Sequence, residues 1–125
     1  MKKKILIIDH EPEYQGRPIR FLEKIYEVKL AISLNAINNR LNENKFDLIF
    51  IEPFFPYGKD YEDINVWLFY DEKLKNLSCP IVLWSHHPIL LSVFEKYTWG
   101  ENVSTLEKNA DDNCLVEKAK ELIGV

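Results

Sequence analysis

Five short apolar runs, separated by stretches with helical periodicity, constrain this chain more than any other feature. The runs are residues 4–9 (KILIID), 26–32 (YEVKLAI), 46–51 (FDLIFI), 80–85 (PIVLWS) and 103–106 (VSTL). Strands that alternate with helical segments read as βαβ units and a parallel sheet. The runs at 46–51 and 80–85 are almost continuously apolar, as expected of central strands covered on both faces. The run at 26–32 alternates less cleanly, as suits an edge strand. The run at 103–106 is the weakest of the five.

The intervening segments supply the helices. Ser33 stands where a side-chain oxygen can cap a helix running to about Glu43, with Leu34, Ile37 and Leu41 on one face. Tyr61, Ile64, Trp67, Leu68 and Leu74 recur at intervals of three, four and seven residues and predict a third helix. Pro88 fits a first helical turn. Ile89, Val93, Phe94 and Tyr97 then face inward until Gly100 ends that helix. Asp111 or Asp112 starts the last helix, burying Leu115, Ala119 and Leu122. Gly16 and Pro18 delay the first helix to about Arg17. Trp67 and Trp84 read as core packing. The expected architecture is α/β: a doubly wound parallel sheet in a three-layer sandwich with right-handed crossovers.

At 125 residues the chain fits a single domain with one substantial core. A hydrophobic share of 46% and a charged share of 29% are those of a soluble globular protein. The apolar runs fall far short of the ~20 residues of a membrane helix. The Lys2-Lys3-Lys4 start lacks the apolar stretch of a secretory signal, so a cytoplasmic location is expected. With a net charge of −4 and scattered basic residues, no nucleic-acid partner is expected. No DNA-binding output domain is expected either. Cys79 and Cys114 have no CxxC spacing and read as reduced thiols.

In doubly wound sheets, ligands sit beyond the carboxyl ends of the strands, where strand order reverses. The residues placed there are Asp9, His10, Glu11, Glu52, Ser85, His86 and Lys108. Their order resembles that of the receiver domain of bacterial two-component response regulators, across essentially the whole chain. The resemblance implies a flavodoxin-like sheet of order 2-1-3-4-5. In that family two acids after the first strand bind magnesium and an aspartate after the third is phosphorylated. A hydroxyl after the fourth strand and a lysine after the fifth contact the phosphoryl group. Here Asp9 fits the first acid, but His10 stands where the second is expected. Glu52 occupies the phosphoacceptor position, followed by Phe54, Phe55 and Pro56, which match the family's hydrophobic pair and proline. Ser85 fits the hydroxyl and Lys108 the lysine, although Asn109 replaces the usual proline. His86 fills a place normally held by a small residue. Thr105 falls near the place of the switch aromatic.

These departures bear on chemistry. Magnesium prefers carboxylates and water to imidazole, so His10 weakens a metal site resting on Asp9 and Glu52. The longer Glu52 moves its oxygens by about one carbon–carbon bond, and ~1 Å of misplacement can cost ~100-fold in rate. His86 would hinder an approaching kinase histidine. The expectation is a pseudo-receiver, not an enzyme, in which a Glu52–Lys108 ion pair holds one conformation. It would signal through contact with a histidine kinase, an output protein or a second copy of itself. Two alternatives stay open: a receiver still phosphorylated with an unusual magnesium site, and a metal-binding module using His10, His86 and His87 with Asp9 and Glu52. Ser85 beside His86 lacks the G-x-S-x-G elbow of a hydrolase. The segment from Asp9 to Gly16 is too acidic for a flavin phosphate loop.

Overall fold

The computed structural model describes residues 2–9, 16–43, 45–52, 56–57, 62–63, 74–85, 101–108 and 111–125. In chain order the described elements are β1 (Lys4–Ile8), α1 (Gly16–Glu23), β2 (Glu27–Ala31), α2 (Leu34–Glu43), β3 (Leu48–Ile51), β4 (Pro56–Tyr57), β5 (Glu62–Asp63), β6 (Ile81–Ser85), β7 (Val103–Glu107) and α3 (Cys114–Ile123). Five strands form one parallel sheet in the order β2-β1-β3-β6-β7. β4 and β5 pair only with each other, antiparallel. Counted within the large sheet, this is the expected 2-1-3-4-5 arrangement of a flavodoxin-like fold.

Side chains alternate across the pleat and build two cores. Ile5, Ile7, Leu48, Phe50, Val82 and Trp84 pack under α1 and α3, against Ile19, Leu22, Leu115 and Ala119. Leu6, Ile8, Ile49, Ile51, Ile81 and Leu83 face the other way and pack with Ile37 of α2 and with Leu74. Every residue of β3 and β6 is buried. That two-sided burial explains why their sequences read as continuous apolar runs. β2 is indeed an edge strand, and it leaves Leu30 and Ile32 exposed.

The helix ends follow local chemistry. Ser33 Oγ accepts the Ala36 amide at 3.2 Å and the Ser33 carbonyl accepts that of Ile37 at 3.0 Å, which starts α2. The last helix begins later than predicted. Asp111 Oδ1 accepts the Asn113 amide at 2.9 Å, and the Asp111 carbonyl accepts that of Cys114 at 3.2 Å. The aspartate thus closes a turn of its own instead of capping the helix directly. At its other end, Gly124 adopts a positive φ of 69° and donates its amide to the Lys120 carbonyl at 3.1 Å. The chain end is held to the sheet by Tyr26, whose hydroxyl donates to the Gly124 carbonyl at 2.6 Å, and by Lys3, which donates to the carbonyl of Ile123.

One expectation is corrected. The apolar stripe from Tyr61 predicted a helix, yet Glu62–Asp63 pair as a strand with Pro56–Tyr57. Gly58 stands shortly before this stretch, and glycine favours a turn over a helix. The rest of that stripe before Leu74, and the segment predicted as the 88–100 helix, lie outside the described residues.

Candidate functional site

Parallel register decides which residues meet at the carboxyl edge of the sheet. Ile8 pairs with Ile51, so the next residues, Asp9 and Glu52, emerge side by side. The Glu52 amide donates to the Ile8 carbonyl at 2.9 Å, extending the ladder to the acid itself. Ser85 pairs with Glu107, and the Lys108 amide donates to the Ser85 carbonyl at 2.7 Å. β7 is two strand spacings from β3, about 10 Å. Only a long side chain from residue 108 spans that gap, and lysine does.

Lys108 Nζ lies 2.5 Å from Asp9 Oδ2 and 2.9 Å from Glu52 Oε2. All three residues are buried, with relative exposures of 8%, 2% and 6% in that order. Among the described residues two acids and one amine thus meet in a place that water scarcely reaches. Charges so desolvated persist only when paired and hydrogen-bonded. Along the way the Lys108 side chain crosses β6, and Nζ stands 4.7 Å from the centre of the Trp84 ring. Trp84 is fully buried and makes an edge-to-face contact with Phe50, with ring centres 6.1 Å apart.

The structure therefore brings Asp9, Glu52 and Lys108 together. Ser85 is completely buried at the end of β6, and its backbone carries Lys108. His10, His86 and His87 lie outside the described residues. Trp84 was assigned to the core alone. Its place beside Lys108 has a signal in the pleat: residues 48, 50 and 52 of β3 share a face with 82 and 84 of β6, and the acid and the indole fall on the same side.

Among the described residues no three of His, Cys, Asp and Glu come together. The two carboxylates that do meet are both engaged by Lys108. A magnesium ion requires near-octahedral oxygen coordination. Among the described residues, the two carboxylates engaged by Lys108 do not by themselves supply that set.

A cavity of about 420 Å³ opens at the opposite, amino-terminal end of the strands, lined by Leu41, Phe46, Ile49, Leu77 and Cys79 among others. Burial pushes the Cys79 thiol up, away from the thiolate a nucleophile needs. Among the described residues the buried charged side chains, Asp9, Glu52 and Lys108, lie at the other edge. Among the described residues no helix is long and apolar enough to cross a membrane.

No protein-family model and no curated protein sequence matches the chain. Solved structures do match over nearly its whole length. A two-component response regulator from Clostridium difficile is 26% identical, with a TM-score of 0.69, covering 98% of this chain and 96% of that one. The response regulator TrrA from Thermotoga maritima, in complex with magnesium and beryllofluoride, is 22% identical with a TM-score of 0.64, covering 97% and 99%. The chemotaxis protein CheY4 from Vibrio cholerae is 16% identical with a TM-score of 0.69, covering 98% and 100%. The chain has the fold of response-regulator receiver domains, a signalling fold of the flavodoxin-like type.

Proposed function

We propose that this chain is a pseudo-receiver: a signalling domain that works through protein contact, with its pocket held by an internal ion cluster in place of a phosphoryl group and a magnesium ion. The observation that carries the reading is Lys108 Nζ lying within 2.5 Å of Asp9 and 2.9 Å of Glu52 in a buried setting. In a phosphorylated receiver the corresponding lysine contacts the transferred group. Here the extra methylene of Glu52 carries its carboxylate toward that lysine, so acid and amine satisfy each other. The same ion pair removes the nucleophile. A carboxylate that holds a buried ammonium must give it up before attacking phosphorus, and breaking such a pair costs about 3–5 kcal/mol.

The partner class that suits this reading is a histidine kinase, an output protein or a second copy of the chain. The test is exposure to acetyl phosphate and magnesium, followed by intact mass. The expected result is an unchanged mass. A stable phosphoryl adduct on the unsubstituted protein overturns the proposal in favour of a receiver still phosphorylated at Glu52 or a nearby acid.

A further inference from the structure

Trp84 carries a feature that core packing does not explain. Its indole Nε1, buried from solvent, has no hydrogen-bond partner among the described residues. An unpaired buried N–H is costly, and phenylalanine would fill much of the same space without one. The other face of the chemistry is that indole has the strongest cation-binding ring of the aromatic side chains. Lys108 Nζ stands 4.7 Å from that ring, inside the range in which the attraction is significant. An ammonium has three N–H groups. Asp9 and Glu52 lie within reach of Nζ, and the indole is the third group of the described residues that surrounds it.

We infer that Trp84 is a positioning residue, whose π face rather than its N–H holds the Lys108 ammonium between Asp9 and Glu52. The consequence is a pocket built for an ammonium. Its third wall offers electron density without an oxygen lone pair, which suits a soft organic cation and gives nothing to a hard divalent one. The functional importance of this arrangement rests on the pseudo-receiver reading. The arrangement itself is testable apart from it.

The experiment replaces Trp84 site-specifically with tryptophans carrying an increasing number of ring fluorines. Fluorine withdraws π density and barely alters ring size, so packing is preserved and the electrostatic attraction is not. Exchange of the Lys108 Nζ protons with water is followed by nitrogen-15 NMR, assigned by comparison with Lys108→Arg, and amide spectra check the fold. Exchange should quicken by roughly three- to thirtyfold across the series, the span expected of a cation–π contact between exposed and desolvated limits. Trp84→Phe should fall within the series. A flat response overturns the inference, as does an ammonium exchanging too fast to observe in the unsubstituted protein. A phosphoryl adduct in the labelling experiment would remove the pseudo-receiver reading and leave the fluorination result standing. A flat fluorination series would remove Trp84 alone.

Discussion

Lys108 Nζ and Glu52 Oε2 stand 2.9 Å apart with side chains only 6% and 7% exposed, joining the residue that follows β7 to the one that follows β3, two strands away. Removing one member of such a pair leaves the other charge uncompensated. Lys108→Met should destabilise the fold by about 3–5 kcal/mol. Adding Glu52→Gln to that variant should recover part of the loss, because one orphaned charge goes with it. Urea denaturation of the two single variants and the double variant measures the coupling. A double-variant loss equal to the sum of the two single losses would show that the pair carries no energy.

Magnesium should leave the melting temperature of the unsubstituted protein unchanged, since anything that binds the folded state alone would raise it. In Lys108→Ala the two carboxylates at Asp9 and Glu52 are released, and a divalent ion should then stabilise the variant. Thermal melts with and without the metal decide between these outcomes. A clear rise in the unsubstituted protein would contradict the donor-set argument.

Tyr26 predicts an alkaline limit. Burial pushes its phenol above the ordinary tyrosine value, and the neutral phenol donates to the Gly124 carbonyl. An acid whose value is raised by folding contributes stability that is complete below its unfolded value, about pH 10. That contribution is lost as pH climbs through the higher folded value. Tyr26→Phe should be weaker by about 1 kcal/mol at neutral pH and should lack this alkaline decline. Chemical denaturation at neutral pH and again above pH ~10 checks both halves.

Ser33→Ala should cost about 1 kcal/mol, the usual price of losing a helix cap. The hydroxyl satisfies the Ala36 amide and nothing else among the described residues replaces it. A loss confined to α2 should appear as faster amide exchange in its first turn.

Much of this molecule was legible in its sequence. The runs ending at Ile8, Ile51 and Ser85 are apolar because their strands are covered on both sides, and that pattern needs no tertiary knowledge. Asp9 and Glu52 fall side by side after β1 and β3 because strand ends follow directly from where apolar runs stop. Boundaries were less secure where short polar side chains bond to their own backbone, as Asp111 does ahead of α3. The Glu62–Asp63 ladder was hidden by apolar spacing that mimics a helix. Trp84 was read as filler because a linear sequence shows that it is large and apolar but not which cation will lie over its ring.

Phase along the pleat ties the ion cluster to the hydrophobic interior. Asp9 continues the series Ile5, Ile7, Glu52 continues Leu48, Phe50, and Trp84 continues Val82, all toward the layer of α1 and α3. A single inserted residue in β1 or β3 would turn its acid to the far side and exchange the apolar residues between the two layers. The residue count within β1 and β3 thus decides on which side of the sheet the acids at 9 and 52 stand.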